Sequence, residues 1–175
     1  MLLTVGHGRL DRDELARLLR GAGVELLVDI RRFPGSRANE AAAKGAVPEI
    51  VGEAGIDYRW EEDLGGRRHL NAEQRRRSPD TWWRVGAFRA YSAWTRDPAF
   101  REALARVVAD ARERRVAVMC SESVWWRCHR RIVADVVATV HELPVGHLMH
   151  SGSITEHTPS EGLRLDEDGN PVWDG

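Results

Sequence analysis

Residues 98–140 read PAFREALARVVADARERRVAVMCSESVWWRCHRRIVADVVATV and decide the fold of this chain. Apolar side chains recur at helical spacing through residues 100–111, and Asp97 and Pro98 before them are typical of a helix start. The run Val116–Met119 is short and apolar, which predicts a buried strand. After a polar stretch, residues 132–140 again place apolar side chains at helical spacing. A helix, a strand and a second helix in this order indicate an α/β protein.

The rest of the chain extends this alternation. Further strands are predicted at Leu2–Val5, Leu26–Ile30, Ile56–Trp60 and Pro144–Met149. A helix is predicted between the first two of these, with Asp11 as its N-cap and Glu14 completing a capping box. We therefore expect a three-layer sandwich, with a mostly parallel central sheet of about five strands and helices on both faces.

The length of 175 residues fits one domain. We predict a single α/β domain over residues 1–150 and a polar tail on the surface over residues 151–175. Within the domain, residues 61–97 contain no strand-like run but several tryptophans and the basic run Arg75–Arg77. A long excursion of this kind is typical of a lid over a functional site, and an exposed aromatic lid is equally consistent with a dimer interface.

The charge balance excludes a strong general attraction to polyanions. Lysine and arginine total 26 against 27 acidic residues, so any basic site must be local, and no membrane partner is expected. The first apolar run is too short for a signal peptide or a membrane span, which predicts a cytoplasmic protein. The two cysteines, Cys120 and Cys128, are then better interpreted as reduced thiols or metal ligands than as a structural disulfide.

The predicted strands all end in polar residues. Ligands of open parallel sheets bind outside the carboxyl ends of the strands, so these residues mark the expected site. In chain order they are His7, then Arg31, Arg32 and Arg37, then Glu61, then residues 120–130, then His150. Asp29, at the end of the second strand, is expected to orient His7 or an arginine, or to cap the turn.

The thiols, histidines and acids at these strand ends are the candidate chemical groups. Cys120 ends a strand close to arginines, which suits a thiolate nucleophile, but a buried structural cysteine and a metal ligand remain alternatives. His7 lies between two glycines and is expected to project into the crevice, with a turn-stabilising role as the alternative. The catalytic candidates are Cys120, His7, Glu122 and His129.

Cys128 and His129 are adjacent, at the expected first turn of a helix. Cys128 can serve as a resolving thiol for Cys120, and His129 as a general acid or base. Neighbouring helical residues point in different directions, so one of the two is expected to be structural. A metal ion would need His7 and Glu122 as further ligands, and the absence of a Cys-x-x-Cys pair disfavours it, so no cofactor is required by the sequence. Asp135, farther along this helix, is expected to face solvent or to form a surface ion pair.

Arginines dominate the predicted ligand site. Arginine matches phosphate and carboxylate through paired hydrogen bonds, so an anionic small molecule or a nucleic acid is the expected partner, with loop-closing ion pairs as the alternative. Tyr91, from the aromatic excursion, is added as a substrate contact. The predicted substrate-binding residues are Arg31, Arg32, Arg37, Arg127, Arg130 and Tyr91.

Five phrases carry a family resemblance. They are TVGHGR at 4–9, DIRRFPGSR at 29–37, GIDYRWEEDLGG at 55–66, FRAYSAW at 88–94 and MCSESVWWRCHRRIVADVV at 119–137. In this order they resemble the DUF488 family, which implies an α/β fold but no established activity. The resemblance also implies a continuous helix ahead of GIDYRW, and Gly45 and Pro48 interrupt that segment here.

Three functions are consistent with these patterns. The first is a thiol- or histidine-dependent hydrolase or transferase that acts on a phosphate-bearing or other anionic substrate, such as a nucleotide, at the carboxyl edge of the sheet. The second is a non-catalytic protein that binds a nucleotide or nucleic acid through the same arginines and the tryptophans. The third is a redox protein that cycles a disulfide between Cys120 and Cys128.

Overall fold

A computed structural model describes residues 1–175 and shows a central sheet of six strands in the order β3-β2-β4-β1-β5-β6. The strands are β1 Leu2–Gly6, β2 Leu26–Asp29, β3 Asp57–Trp60, β4 Val116–Cys120, β5 Val145–Leu148 and β6 Ile154–Glu156. The first five are parallel, and β6 pairs antiparallel with β5. The predicted α/β class and mostly parallel sheet are therefore confirmed, and the C-terminal segment supplies the additional strand.

Six helices accompany this sheet, and all but the third contribute buried side chains to its two faces. They are α1 Arg12–Gly21, α2 Ala46–Glu53, α3 Ala72–Arg77, α4 Gly86–Trp94, α5 Pro98–Glu113 and α6 Arg130–Val140. Side chains of α1 and α2 pack with Leu3, Val5 and Leu27 on one face, and side chains of α4, α5 and α6 form the second core on the other. None of the helices combines the length and apolarity needed to cross a membrane.

Local sequence explains how the helices on the first face begin. The Asp11 carboxylate accepts from the Glu14 amide at 2.9 Å, which confirms the predicted capping box of α1. Gly45 adopts φ 85°, a conformation that favours glycine, and α2 starts at the next residue. Pro48 lies in the first turn of α2, where its missing N–H breaks no intrahelical bond. These two residues therefore confine α2 to Ala46–Glu53, after a separate 3-10 turn at Glu40–Ala42.

Residues 61–97 form helices and turns without a strand, in agreement with the sequence pattern. A 3-10 turn at Glu62–Leu64 leads to α3 and α4. Trp83 is buried and makes an edge contact with Phe88, with 5.1 Å between ring centroids. Much of the aromatic content of this segment therefore contributes to the core.

Residues 151–175 differ from the surface tail that their polar composition predicts. They add β6 to the sheet edge and then form an antiparallel hairpin from β7 Leu163–Leu165 and β8 Pro171–Trp173. Trp173 is fully buried and donates its indole N–H to Asp135 at 2.9 Å. Asp135 is fully buried as well, so the expected surface position of this residue is wrong. Its carboxylate is buried because partners from the C-terminal segment satisfy it.

Candidate active site

The candidate site lies at the carboxyl ends of β1 and β4. These strands are neighbours, with Gly6 opposite Cys120, but the chain leaves them in opposite directions along the sheet. After β1 it crosses to β2 through α1, and after β4 it crosses to β5 through α6. Such a switch in direction opens a crevice in which ligands of parallel sheets bind.

Two free thiols meet at this point. Cys120 ends β4, and Cys128 follows the 3-10 turn Trp125–Arg127. Their Sγ atoms lie 2.7 Å apart, and both residues are buried. They line a cavity of about 310 Å³ that opens at the edge of the sheet. The eight-residue separation in sequence therefore becomes direct contact between the two sulfurs.

The surroundings move the pKa values of the two thiols in opposite directions. Burial raises the pKa of Cys120 well above its ordinary value, and its hydrogen bond to Cys128 raises it further. Burial would also raise the pKa of Cys128, but the hydrogen bond from Cys120 and the charges of His129 and Arg130 hold this pKa well below its ordinary value. Cys128 also lies just before the start of α6, where the helix dipole favours a thiolate. These directions favour a thiolate at Cys128 and a protonated thiol at Cys120.

His129 is held against Cys128 by the β2 loop. Its Nε2 donates to the Ile30 carbonyl at 3.2 Å, and its Nδ1 lies 3.6 Å from Cys128 Sγ. Gly66 covers the ring closely, because a Cβ at that position would lie 3.0 Å from Nδ1. Because Nε2 donates to a carbonyl, Nδ1 presents a proton to the Cys128 sulfur when the ring is an imidazolium and accepts from the thiol when the ring is neutral.

Cys128 and His129 both line the cavity, contrary to the expectation that one of them would be structural. The reason is local backbone structure. Cys128 is extended, with φ −123° and ψ 153°, and closes the 3-10 turn, whereas His129 is the N-cap of α6. They are not successive positions of one helix, so the helical rule that separates neighbouring side chains does not apply.

Arg130 is a buried cation with no carboxylate partner. It is 1% exposed, and its Nη2 donates to the carbonyls of Glu122 and Ser123. Burial would lower the pKa of Arg130, but the charges of Cys120 and Cys128 raise it above its ordinary value. The thiol pair thus supplies the negative charge that compensates this guanidinium. Arg130 therefore affects the charge state of the thiols from a buried position.

Gly6 makes this arrangement possible. A Cβ at Gly6 would collide with the Glu122 carbonyl and lie 2.7 Å from Nη2 of Arg130. The missing side chain allows the loop after β4 to pass directly over the end of β1. His150 secures the same strand end, because its Nε2 donates to the Gly6 carbonyl at 2.7 Å.

The remaining predicted arginines have different positions. Arg31 is buried and donates to Asp29, with Nη2 2.5 Å from Oδ2, and to the Ala42 carbonyl at 3.0 Å. Asp29 therefore orients an arginine, one of the roles expected for it. Arg32 and Arg127 line the cavity and form no ion pair, whereas Arg37 is exposed and lines neither this cavity nor the one beside it.

Arg67 was missed as a binding candidate. It is exposed, lines the cavity and forms no ion pair, and it adopts φ 59° in the turn after Gly65 and Gly66. A glycine pair is typical of a turn at which backbone amides can approach an anion, but here the side chain that follows the pair carries the charge. The available signal was therefore the position of an arginine directly after a glycine pair.

His7 lies in a second cavity beside the first. This cavity has a volume of about 1130 Å³ and shares Ser121 and Glu122 with the thiol cavity. His7 is buried, its Nδ1 donates to the Gly8 carbonyl at 3.1 Å, and its Nε2 has no partner. Burial, followed by the charge of Arg31, lowers its pKa. The second cavity is larger, but both thiols and the unpaired Arg32, Arg67 and Arg127 line the first, so we place the chemistry there.

Glu122 and Tyr91 have structural contacts in addition to their place at the cavity. The Glu122 side chain is exposed and accepts from the Val124 amide at 3.3 Å. The Tyr91 hydroxyl donates to the Leu64 carbonyl at 2.5 Å, and burial raises its pKa well above the ordinary value. The Tyr91 ring packs beside His129, with 5.0 Å between centroids. Tyr91 therefore contributes its ring to the site, because its hydroxyl is already bonded.

No group of three or more histidine, cysteine, aspartate or glutamate side chains has an arrangement that could hold a metal ion. His7 and Glu122, the expected additional ligands, both reach the second cavity, but His7 does not line the thiol cavity.

Comparison with known proteins identifies the family without naming an activity. Residues 11–137 match the family described as "Domain of unknown function DUF488". No curated protein and no solved structure matches the chain significantly. The matched segment spans most of the chain and includes both thiols, His129 and Arg130. The chain belongs to the DUF488 family.

Proposed function

We propose that this protein is an enzyme that uses the Cys128 thiolate as a nucleophile on an anionic substrate. The observation that carries this proposal is the 2.7 Å contact between two buried sulfurs, of which Cys128 Sγ also lies 3.6 Å from His129 Nδ1. The same surroundings move the two thiol pKa values in opposite directions. A cysteine that serves only packing gains nothing from a neighbouring imidazole and a buried guanidinium. Perturbed pKa values in a cleft are typical of functional sites.

Unpaired arginines at the cavity support an anionic substrate. Arg32, Arg67 and Arg127 line the cavity without a carboxylate partner. The one acidic residue that lines it is Glu122, which is exposed. Three free guanidinium groups beside a thiolate would repel cations and bind phosphate or carboxylate.

Aromatic side chains at the same cavity support a substrate that carries a ring. Phe33 is 63% exposed and lines the cavity together with Phe88. Exposed rings beside arginines suit the base and phosphate of a nucleotide. The volume of about 310 Å³ lies at the lower end of the range for small-ligand sites. A phosphate-bearing small molecule, such as a nucleotide, is therefore the proposed substrate class.

The proposed reaction is a displacement at the substrate. Cys128 Sγ forms a bond to the electrophilic centre, and the leaving group departs with its electron pair and takes a proton from His129 Nδ1. Water or a second substrate then attacks the thio-adduct, gives its proton to His129 Nδ1 and displaces Cys128 Sγ as the thiolate, which makes the enzyme a hydrolase or a transferase. Residues 61–97 act as the lid, since Gly66, Arg67 and Phe88 come from this segment.

A dithiol redox function is the second candidate, and the contact between the two sulfurs favours it. Cys128 would attack a substrate disulfide and release one thiolate, and Cys120 would then lose its proton and attack Cys128 Sγ to release the second. The substrate disulfide is reduced by two electrons, and the protein pair is oxidised to a disulfide that a cellular dithiol would reduce again. A reducing, cytoplasmic setting belongs to both proposals.

A purely nucleic-acid-binding role has less support. Trp83 is buried, and Trp94 donates its indole N–H to the Asp63 carbonyl at 2.7 Å while Arg68 stacks on it. These rings are occupied within the protein and offer no stacking surface for bases. Trp126 is 49% exposed but lies outside the thiol cavity.

Two anionic aryl probes separate these functions. Wild-type protein, Cys128→Ser and Cys120→Ser are incubated with p-nitrophenyl phosphate and with dithiobis-nitrobenzoate, and intact mass and product release are followed. A displacement enzyme forms its adduct on Cys128, and Cys120→Ser still turns over. In the redox mechanism, Cys120→Ser stops at a mixed disulfide on Cys128. The proposed use of Cys128 is refuted if both probes leave it unmodified, or if they modify Cys120 instead.

A further inference from the structure

A buried hydrogen-bonded chain connects the C-terminal segment with the thiol site. His157 Nε2 lies 3.0 Å from Asp135 Oδ1, and His157 Nδ1 lies 3.0 Å from His147 Nε2. His147 Nδ1 lies 2.7 Å from Thr4 Oγ1, to which Arg130 Nη1 donates at 3.5 Å. All five residues are buried. The chain thus begins at a carboxylate and ends at the guanidinium beside the thiols.

With both imidazoles neutral, the acceptor at one end and the donor at the other give every bond in this chain the same direction. Asp135 can only accept, so His157 carries its proton on Nε2 and accepts on Nδ1 from His147. His147 then accepts on Nδ1 from the Thr4 hydroxyl, whose oxygen accepts from Arg130, a residue that can only donate. Burial, the largest cause, and the charge of Arg130 lower the pKa of His147 to about 3, in agreement with a neutral ring. Every donor therefore points toward Asp135.

A second contact connects the chain with the loop that carries Cys128. The Trp125 ring stacks on His147, with 3.8 Å between centroids and 6° between planes. Trp125 belongs to the 3-10 turn before Cys128, and its carbonyl accepts from the Cys128 amide at 3.2 Å. The position of His147 thereby fixes the turn from which the thiolate projects.

The C-terminal segment holds the far end of the chain. The Ser160 amide donates to Asp135 Oδ1 at 2.8 Å, and the Trp173 indole donates to Oδ2 at 2.9 Å. Asp135 forms no ion pair with lysine or arginine, and His157 is its one ionisable partner. His157, Ser160 and Trp173 lie in a segment that the displacement chemistry itself does not use.

We infer that Thr4, His147, His157 and Asp135 are positioning residues that hold Arg130 and Trp125 against the thiol pair, and that residues 157–173 complete the active site. This inference rests on the proposed use of the Cys128 thiolate. The side-chain polar atoms of Thr4, His147, His157 and Asp135 are all paired. A buried network of this kind fixes one arrangement, whereas a broken one leaves buried polar groups without partners. Loss of one member would therefore move Arg130 or the turn at Trp125.

The test measures the pKa of Cys128 from the pH dependence of its alkylation by iodoacetamide in full-length variants. Thr4→Val keeps the shape of the side chain but removes the hydroxyl, and Thr4→Ser restores it. Asp135→Asn replaces one acceptor oxygen with a donor that opposes His157 or Trp173. His69→Gln, at an exposed histidine outside this chain, is the control.

We expect Thr4→Val and Asp135→Asn to raise the Cys128 pKa by about one unit, which is a tenfold loss of thiolate below that pKa. Thr4→Ser and His69→Gln should titrate as the wild type does. If Asp135→Asn does not fold, the comparison of Thr4→Val with Thr4→Ser decides. A low wild-type pKa that stays unchanged in folded Thr4→Val and Asp135→Asn overturns the positioning role alone. An ordinary pKa in the wild type refutes the proposed function itself.

Discussion

The Nε2 atom of His129 donates to the carbonyl of Ile30 at 3.2 Å, and this bond determines what the other ring nitrogen can do. With one nitrogen committed to a backbone carbonyl, Nδ1 is directed at Cys128 Sγ, 3.6 Å away. The loop after β2 thus orients the imidazole, and the loop after β4 supplies the sulfur. Thiolate and imidazole come together because two neighbouring strands end at the same edge of the sheet.

His129→Gln should raise the pKa of Cys128. Glutamine can replace a hydrogen bond but not the positive charge that favours the thiolate. We expect the Cys128 pKa to rise by about one unit, so that alkylation at a pH below the wild-type pKa slows by about tenfold. The rate is measured by mass spectrometry, with His69→Gln as the control. An unchanged rate would show that the imidazole does not act on this thiol.

Two glycines should be intolerant of a side chain for different reasons. Gly6→Ala would drive the new methyl group into the Glu122 carbonyl and destabilise the loop above β1. Gly66→Ala would press on His129 Nδ1 and should slow alkylation of Cys128 with a smaller loss of stability. For both variants, stability is measured by thermal unfolding and the reactivity of Cys128 by its alkylation rate.

Gly21→Ala is the matched control, since a Cβ there meets no atom within 4 Å. Alanine in a helix is favoured over glycine by roughly 0.5–1 kcal/mol, so this variant should unfold at the same or a higher temperature. If Gly6→Ala, Gly66→Ala and Gly21→Ala show the same unfolding temperature and the same alkylation rate, close packing at Gly6 and Gly66 is contradicted.

The unpaired arginines should determine anion affinity. Arg67→Ala and Arg127→Ala should each weaken the protection of Cys128 from alkylation by inorganic phosphate. A lost charge-assisted hydrogen bond of about 1.5–3 kcal/mol corresponds to a decrease in affinity of tenfold or more. Arg75→Ala removes an exposed arginine outside the cavity and should have no effect. An equal loss of phosphate protection in all three variants would indicate that overall positive charge, and not a specific site, binds the anion.

Acid should destabilise the fold through His147. The unfolded chain binds a proton at this histidine below about pH 6.5, whereas the folded chain does so only near pH 3. Stability therefore falls as the pH decreases from 6.5 toward 3, and at pH 5 the loss from this residue is roughly 2 kcal/mol. Denaturant unfolding at pH 7.5 and pH 5 measures it. In His147→Gln the free energy of unfolding should depend less steeply on pH. An unchanged slope would contradict the contribution of His147 to acid destabilisation.

The fold was largely predictable, because buried parallel strands are short apolar runs and α1 carries its own cap signal. Residues at strand ends could be assigned to one edge for the same reason. The relative roles of Cys120 and Cys128 could not be predicted, since they depend on which sulfur faces His129. Neither could the buried carboxylate of Asp135, whose partners Ser160 and Trp173 follow 25 and 38 residues later in the chain.

The C-terminal segment shows why amino-acid composition is a poor guide to the presence of short strands. Residues 151–175 are polar overall, and their strands have only three residues each. Trp173 and His157 secure the segment through a few buried long-range contacts that leave no periodic pattern. Pattern analysis detects faces of helices and strands, so a segment held by isolated long-range bonds resembles a tail.

The central claim is that Cys128 is a thiolate at neutral pH and Cys120 is not. The most direct measurement is the alkylation rate of each cysteine by iodoacetamide between pH 4 and pH 10, with residue assignment by mass spectrometry. An unperturbed thiol titrates near 8.5. We expect Cys128 to titrate well below this value and to be protected by phosphate, and Cys120 to titrate above it. A Cys128 that titrates at or above the ordinary value, or a Cys120 that reacts first, would contradict the account.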